Sequence, residues 1–471
     1  MKGKTYLAKN IGFLTISQFG TKLLGFFLVP LYTYILSTAE YGTYDLNTTT
    51  VSLLVPILTF NVADPLLRYP LDKDSKKIEI FTVGIKYYLI SLLISGVLIF
   101  VNELFNVIPL LAEYSVLLYL LFIVTAFSGI IINFARGLDK IKQTAISGVV
   151  CSAIIILLNI IFLIPLRMGL TGYFLANILG ALSQCLYLVF AIKAWRYFKI
   201  SKYDKKLEEE MLTYASPLLV NGISWWVSSA SDRYIVTWLR GIAENGIYSV
   251  GYKIPSILNI FQTIFSQAWT LSAVHDFDPE DKNNFFTDMY NLYNFCMTLV
   301  CSILIVFTKI MAKLLYAKDF YVAWQYVPFL LIAIVFGALS GYIGGIFAAV
   351  KDTKIFANTS IVGAVINIVL NVVLINIIGT IGAAIATAIC YVVIWALRMI
   401  NVKRYITIHL NVKRDIMGYV ILLIQSIMFY ITDNNIVLYA IEFALLVILP
   451  FLFIDVVKPV MKKMKGKLVG I

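Results

Sequence analysis

The sequence predicts an all-α polytopic membrane protein, and three observations support this prediction. Hydrophobic residues make up 60% of the 471 residues and charged residues only 14%, whereas soluble proteins carry roughly a quarter charged residues. The apolar residues form runs of about 20, the length that crosses the hydrocarbon core as a helix. The connecting segments are short and polar, so none is long enough to fold alone. This composition excludes disordered, collagen-like and disulfide-stapled secreted proteins.

Fourteen apolar runs of spanning length follow one another along the chain, and we number the predicted spans in this order. They begin near Ile11, Leu46, Ile80, Tyr114, Ala145, Leu170, Leu212, Gly246, Met289, Gln325, Ile355, Thr380, Ile416 and Asn435. The segments between them carry the polar residues and turn formers typical of loops.

The net charge of +12 follows the pattern of membrane topology, because the cations lie in short loops and no soluble segment carries a basic stripe. With residue 1 in the cytoplasm, the cytoplasmic segments contain 29 Lys and Arg, against 5 in the outer loops. Both termini are therefore predicted to be cytoplasmic. A lysine cluster after span 9 and an acidic loop around His275 break the rule, so the helix boundaries around 270–325 stay open.

Two pairs of similar segments indicate an internal repeat. Residues 39–44, AEYGTY, resemble residues 243–248, AENGIY, and residues 159–172 resemble 371–382 in having an asparagine followed by Gly-x-x-Gly. The predicted parts are 1–205 with spans 1–6, 206–405 with spans 7–12, and 406–471 with spans 13–14 and a basic cytoplasmic tail. Since each copy has an even number of spans, the repeats are parallel, and such pairs commonly enclose a midplane site that works by alternating access.

Four segments carry a family resemblance: residues 61–69 (NVADPLLRY), 135–140 (ARGLDK), 214–217 (YASP) and 231–250, which begins SDRYIV. They resemble the oligosaccharide flippase/polysaccharide transporter family of the multidrug/oligosaccharidyl-lipid/polysaccharide (MOP) exporter superfamily. The resemblance implies two six-helix lobes around a central cavity plus two C-terminal helices, and no enzyme activity. It implies translocation of an undecaprenyl-diphosphate-linked oligosaccharide from the cytoplasmic to the outer leaflet, for O-antigen, capsule or exopolysaccharide synthesis.

The same resemblance implies the cellular setting. The expected location is the bacterial plasma membrane, and the expected partners are the lipid-linked oligosaccharide, the bilayer and a downstream polysaccharide polymerase, without nucleic acid. We expect a monomer that needs no cofactor or metal and has Na+ or H+ as the candidate coupling ion.

Polar residues inside the spans mark the candidate site, because a charge at the bilayer centre costs about 2.5–3.5 kcal/mol and needs a partner or water. They form single-faced stripes on four spans. The stripes are Thr15, Gln18 and Lys22; Asn61, Asp64 and Arg68; Asn221, Ser224, Ser228, Ser231 and Asp232; and Tyr252, Ser256, Asn259 and Thr263. The predicted substrate-binding residues are Gln18, Lys22, Asp64, Arg68, Asn221, Ser228, Asp232, Arg233, Tyr252 and Lys253. Asp64 and Asp232 are also candidates for ion coupling.

Each charged candidate has a structural alternative. Lys22 either binds substrate phosphate or forms a buried ion pair, Asp64 can pair with Arg68 at i,i+4, and Asp232 can pair with Lys253. Four cations against two acids give the set a net charge of +2, which suits an anionic diphosphate.

Other polar residues inside the spans receive no substrate role. Asn367 and Asn371 of span 11 are expected to form interhelical hydrogen bonds, and the isolated Glu442 of span 14 is assigned no role.

Three rival functions remain open. A cation-coupled drug exporter of the same superfamily carries cationic cargo, which a positive cavity disfavours. A peptidoglycan-precursor (lipid II) flippase also has fourteen helices and a basic cavity. A membrane polymerase or acyltransferase needs titratable catalytic groups, yet the two histidines, His275 and His409, lack acidic partners at motif spacing. A Gly-x-x-x-x-Gly-Lys phosphate loop is absent from the sequence.

Overall fold

The computed structural model describes residues 25–72, 74–199, 204–275, 277–350, 352–432 and 434–459. Every regular element in these residues is a helix, so the predicted all-α class is confirmed. The helices form two compact units. The first contains the described residues up to Ala230 together with Ile242–Gly246, and the second contains Ser231–Gly241 and the described residues from Ile247 onwards.

Among the described residues, the first unit contains eight complete α-helices and the first part of a ninth. They are α1 (Val29–Ile35), α2 (Thr38–Leu58), α3 (Ala63–Arg68), α4 (Lys77–Phe105), α5 (Pro109–Ala112), α6 (Ser115–Gly137), α7 (Ile141–Leu163) and α8 (Gly169–Ile192). The 36-residue helix α9 (Lys205–Arg240) begins in the first unit and ends in the second.

In the described part of the chain, nine further α-helices follow α9. They are α10 (Ile242–Gly251), α11 (Pro255–His275), α12 (Phe285–Val306), α13 (Thr308–Leu315), α14 (Val327–Ala349), α15 (Thr353–Ile378), α16 (Ile381–Val402), α17 (Val412–Ile431) and α18 (Asn435–Leu452). The first five residues of α10 belong to the first unit.

Span 2 is a broken helix. A capping box between Ser37 and Glu40 starts α2, because each side chain bonds the main-chain N–H of the other. Pro56 lacks an N–H and weakens the last turn, after which Phe60 and Asn61 adopt left-handed conformations with φ of 50° and 51°. The chain then resumes as Ala63–Leu71 at an angle of 74° to α2.

Ten helices in the described residues are long and apolar enough to cross a membrane, or eleven if the broken pair counts as one span. The ten correspond to predicted spans 3–6 and 9–14. Span 1 lies only partly in the described residues, where a short apolar helix covers Gly25–Ile35. Helices α9 and α11, in spans 7 and 8, are long enough but fall outside the apolar set, because serine, threonine, asparagine and glutamine interrupt them. The predicted count of fourteen is therefore not confirmed.

The Asn–Gly-x-x-Gly motifs share two local features in the two units. The side-chain amides of Asn159 and Asn371 each donate to the carbonyl four residues earlier, both at 2.8 Å. Gly169 and Gly379 both have positive φ, 53° and 78°, which glycine adopts at little cost. The connections themselves differ, because Gly169 is the first residue of α8 whereas Gly379 caps the end of α15.

The two Ala-Glu-x-Gly segments pack against each other inside the first unit. A methyl group on Gly42 would overlap the carbonyl oxygen of Ile242, and one on Gly246 would overlap that of Thr38. Since Thr38 and Ile242 are equivalent in the repeat, the contact is reciprocal. The Asn245 amide adds a hydrogen bond of 3.2 Å to the carbonyl of Gly42. Only glycine allows this close approach of the two helices.

Candidate functional site

Asp232 is the centre of a buried cluster in the second unit. Its side chain is 2% exposed, and its Oδ2 accepts hydrogen bonds from the hydroxyls of Tyr248 at 2.6 Å and Tyr252 at 2.8 Å. Its Oδ1 accepts the main-chain N–H of Arg233 at 2.9 Å and lies 3.7 Å from that residue's guanidinium. Each carboxylate oxygen therefore has a donor, which lets the charge persist in a buried place.

The local sequence explains how this cluster forms. Tyr248 and Tyr252 are four residues apart, so both rings face α9 from one side of α10. Their hydroxyls lie 3.2 Å apart, and their rings meet edge to face at 5.3 Å. The guanidinium of Arg233 lies 4.8 Å from the centre of the Tyr252 ring, a cation–π contact. The cluster thus presents an acid, a cation and two phenols together.

A neutral network lies one residue away on α9. Ser231 donates to Oδ1 of Asn367 on α15 at 3.4 Å, and the Asn371 amide donates to the same oxygen at 3.0 Å. The Asn367 amide reaches Thr387 on α16 at 3.4 Å. Asn367 thus forms the interhelical hydrogen bonds expected from the sequence, and these bonds hold α9, α15 and α16 together beside Asp232.

In the first unit, the two charged candidates on span 2 have separate partners. The Asn61 amide donates to Asp64 at 2.7 Å, next to the break between α2 and α3. Arg68 bonds Asp72 at 2.7 Å, with 52% of its side chain exposed. The alternative of an Asp64–Arg68 pair is therefore wrong, because the Arg68 side chain points out of the helix end toward the following turn. With Asp72 added, four cations face three acids, and the net charge of the candidate set falls from +2 to +1.

The remaining candidates have varied surroundings. Gln18 and Lys22 lie outside the described residues. Asn221 is exposed, Ser228 is buried and donates to the carbonyl of Ser224 at 3.1 Å, and Lys253 is half-buried. Of the predicted set, the second unit therefore brings Asp232, Arg233 and Tyr252 into direct contact.

A second charged cluster, in the first unit, escaped the sequence analysis. The ammonium of Lys86 on α4 lies 2.8 Å from Glu208 on α9, and the Tyr87 hydroxyl donates to the same carboxylate at 2.7 Å. One turn away, Lys76 bonds Asp204 at 2.7 Å; this bond raises the pKa of Lys76 and lowers that of Asp204. These groups are about 120 residues apart in sequence, so no local pattern could reveal them. They fasten the beginning of α9 to α4.

Comparison with known proteins identifies the group to which this architecture belongs. The family model described as "Polysaccharide biosynthesis protein" matches residues 7–270, more than half of the chain. No curated protein sequence matches the chain. Among solved structures, 27 chains match.

Three of these structures illustrate the likeness. An inward-facing multidrug resistance MATE transporter of the MOP superfamily has 15% identity and a TM-score of 0.67 over 82% of this chain and 94% of its own. The lipid II flippase MurJ, inward closed, has 15% identity and a TM-score of 0.67 over 95% and 98%. A MOP superfamily transporter from Pyrococcus furiosus has 14% identity and a TM-score of 0.59 over 84% and 96%. At these identities the likeness shows the fold, which is that of the MOP transporters.

Proposed function

The chain belongs to the polysaccharide biosynthesis protein family, a family of membrane transporters and not of enzymes, and we propose that it is an oligosaccharide flippase. Its cargo would be an oligosaccharide repeat unit on undecaprenyl diphosphate, moved from the cytoplasmic to the outer leaflet for O-antigen, capsule or exopolysaccharide synthesis. We place it in the bacterial plasma membrane as a monomer with both termini cytoplasmic, delivering its product to a polysaccharide polymerase.

The observation that carries this proposal is the polarity of α9 and α11. A helix that only anchors a protein in the membrane gains nothing from an acid, serines and asparagines at membrane depth, because each raises the cost of insertion. Here these residues persist, and one of them, Asp232 of α9, holds two tyrosines and Arg233 in a buried cluster. Hydroxyl groups and aromatic rings are suited to sugars, while Arg233, Lys253 and Lys22 offer charge-assisted hydrogen bonds to phosphates.

The transport cycle that we propose is alternating access between the lobes 1–205 and 206–405, with residues 406–471 appended. Pro30, Pro56, Pro217 and Pro255 are the candidate bending points. The 74° bend that follows Pro56 supports this role for that residue. Asp232 and Asp64 are the candidates for coupling to H+ or Na+, because protonation or cation binding at a carboxylate changes which hydrogen bonds it accepts.

A lipid II flippase is the second candidate, supported by the likeness to MurJ over 95% of this chain. A lipid II flippase and an oligosaccharide flippase both handle polyprenyl diphosphates, so the fold and the cations suit either cargo. A cation-coupled drug exporter is disfavoured, since the candidate set retains a net positive charge after Asp72 is included.

Reconstitution into liposomes distinguishes these functions. The purified protein would be tested with a fluorescent undecaprenyl-diphosphate oligosaccharide, with fluorescent lipid II and with a cationic dye, using an impermeant quencher to report the outer leaflet. We expect flipping of the oligosaccharide lipid alone. Transport of lipid II alone would establish the second candidate, and dye export without lipid flipping would overturn the proposal.

Lys22 provides the residue-level test of the diphosphate interaction. We expect Lys22→Ala to insert normally and to abolish flipping, and Lys22→Arg to retain part of it, since the charge persists but its geometry changes. Full flipping by a well-expressed Lys22→Ala protein would remove Lys22 from the substrate site. A structural ion pair would instead show itself as reduced expression or thermal stability, restored when the partner acid is also removed.

A further inference from the structure

Glu442 is a buried acid that the proposed transport mechanism does not use. It lies near the middle of α18, its exposure is 0%, and neither carboxylate oxygen has a hydrogen-bond partner among the described residues. An ionised carboxylate without donors is strongly unfavourable in an apolar interior, whereas a protonated carboxyl group is tolerated far better. The protonation state of this side chain therefore decides whether α18 can pack here.

The polar side chain beside Glu442 is the amide of Gln425. Ser302 of α12 donates to Oε1 of Gln425 on α17 at 2.8 Å, and the Gln425 amide donates to the main-chain carbonyl of Glu442 at 3.3 Å. Both residues are fully buried. The Gln425 amide thus makes its hydrogen bond to the backbone of α18, and neither carboxylate oxygen of Glu442 accepts one.

Within about two turns of Ser302, Gln425 and Glu442, the titratable groups on the surrounding helices are phenols, thiols and one lysine; the charged residues Asp288, Lys413, Arg414 and Asp415 lie further away, at the ends of α12 and α17. Tyr439 lies one turn earlier on α18, near Tyr321. On the other elements, Cys301 is next to Ser302 on α12, and Tyr430 is on α17. Lys309 of α13 is directed at the rings of Trp324 and Phe429. None of these groups is hydrogen-bonded to the carboxyl group of Glu442.

A seam of polar side chains leads from this acid toward one end of the unit. Asn294, Thr298 and Ser302 recur every four residues on one face of α12, and all are fully buried. Thr298 donates to Oδ1 of Asn294 at 3.3 Å, and Tyr419 of α17 donates to the same oxygen at 3.0 Å.

The end of the seam is charged. Arg414 bonds Asn291 at 2.5 Å and Asp455 at 2.7 Å, and the Asp455 side chain is 51% exposed. Polar side chains therefore lie at intervals between the exposed Asp455 and the interior near Glu442.

We propose that Glu442 is a proton-binding site of the C-terminal helices, held as a neutral carboxylic acid and exchanging its proton through the Asn294–Thr298–Ser302 seam. A proton needs only one of the two unpartnered oxygens. A metal cation would need several further oxygen ligands, and the described residues contain no cluster of three acidic, histidine or cysteine side chains that would supply them.

Dicyclohexylcarbodiimide, an apolar reagent that partitions into membranes, tests the site directly. A protonated carboxyl group adds across one C=N bond and passes its proton to nitrogen; the resulting O-acylisourea rearranges to a stable N-acylurea, with no oxidant or reductant required. We expect this adduct on the Glu442 peptide of the intact protein in detergent or liposomes, measured by mass spectrometry. The yield should fall as the pH is raised, and Glu442→Gln should abolish the adduct. The control acid is Glu208, which is paired with Lys86 and should stay unmodified.

Three results would overturn the proposal. Glu442 unmodified in the folded protein but modified after denaturation would show that it is ionised and paired. Protection by NaCl but not by choline chloride at constant pH would show a cation site. A yield that does not change with pH would show a carboxyl group that does not exchange its proton with solvent.

The role of the seam is tested separately. The double variant Thr298→Val with Ser302→Ala should still be labelled, but its labelling should change at least several-fold more slowly after a pH jump. An unchanged rate would exclude proton exchange through the seam.

Discussion

Asp232 and Glu442 are two buried acids of the second unit, and the structure stabilises them in opposite ways. Asp232 accepts hydrogen bonds from Tyr248 and Tyr252 and lies beside the Arg233 guanidinium, whereas Glu442 has no donor for either oxygen among the described residues. Both are at most 2% exposed, so burial alone does not distinguish them. The difference lies in the donors: each carboxylate oxygen of Asp232 accepts a hydrogen bond, and neither oxygen of Glu442 does so.

The contrast also separates two functional roles. An acid with fixed donors can hold a cation or orient a substrate group, and it suits the proposed transport site. An acid without donors responds to its proton, and it suits a site of proton exchange. The predictions below test whether the donors, rather than the positions of the acids, create this difference.

The largest effect is expected for Asp232→Ala. This change leaves two buried phenol hydroxyls and the Arg233 guanidinium without their acceptor, and removing one partner of a buried charged cluster costs about 3–5 kcal/mol. We expect a marked loss of thermal stability together with loss of flipping. Asp232→Asn keeps one acceptor oxygen and should preserve the fold while still losing transport.

The matched control is Ser224→Ala on the same helix, where the hydroxyl donates only within α9. Normal stability of Asp232→Ala would show that the cluster contributes little to the fold.

The second prediction converts Asp232 into an acid like Glu442. The double change Tyr248→Phe and Tyr252→Phe removes both phenol donors while the rings and their packing remain. We expect a destabilisation of about 1–3 kcal/mol and a newly carbodiimide-reactive Asp232, because a carboxyl group without these donors favours its protonated form. The measurement is thermal melting in detergent combined with mass spectrometry of the Asp232 peptide. If Asp232 stays unreactive in the double variant, Arg233 alone holds it ionised, and the contrast with Glu442 depends on the cation.

The third prediction concerns Glu442→Gln, which replaces a neutral acid by a neutral amide of the same shape. If Glu442 is protonated in the fold, the unfolded chain releases this proton first, above its unfolded pKa of about 4.3. The melting temperature of the unmodified protein should therefore fall as the pH rises from about 4 through neutrality, and that of Glu442→Gln should not share this fall. The two proteins should differ by no more than the equivalent of about 0.5 kcal/mol near pH 4, and Glu442→Gln should be the more stable at neutral pH. Glu442→Ala is the size control and should be less stable than Glu442→Gln by about 2 kcal/mol or more at every pH, because it leaves a cavity. A large loss for Glu442→Gln at neutral pH would show that the carboxylate is charged.

The sequence predicted those features whose physics is local. Apolar runs of spanning length gave the all-α class and the helices of spans 3–6 and 9–14, since length and hydropathy decide insertion. The serine and aspartate stripe identified Asp232, because its members lie on one helix face. Its donors Tyr248 and Tyr252 come from a neighbouring helix, so only the fold shows that they meet Asp232.

Long-range partners were beyond the sequence for the same reason. The 29 cytoplasmic cations predicted from the sequence include Arg398 and Arg414, taken as loop residues after span 12, yet both are buried in helices. The Arg398 guanidinium bonds Ser340, Thr359 and Ser360, which lie about 40 to 60 residues away in sequence, and its hydrogen-bond acceptors among the described residues include no acid. Nothing near Arg398 in the sequence indicates this set of neutral acceptors. Glu442 was assigned no role because an isolated acid in an apolar run reveals nothing about the seam beside it.

The smallest effect is expected at Lys76 and Asp204, a pair near the water-exposed beginning of α9. Their hydrogen bond lowers the pKa of Asp204 and raises that of Lys76. The Asp204 contribution is therefore present above its unfolded pKa of about 4 and is lost as the pH falls through the lower folded value. The Lys76 contribution is complete below its unfolded pKa of about 10.4 and is lost as the pH rises through the higher folded value. The pair thus stabilises the folded state between these two pH limits. The effect is weak because both groups are solvated and screened.

Lys76→Met should therefore lower the melting temperature slightly at neutral pH and not at pH 2–3, and added salt should reduce the difference. If the loss of melting temperature did not depend on salt, this surface pair would behave like the buried Asp232 cluster. Solvent exposure would then not explain why an acid with a partner contributes less at the surface than in the membrane.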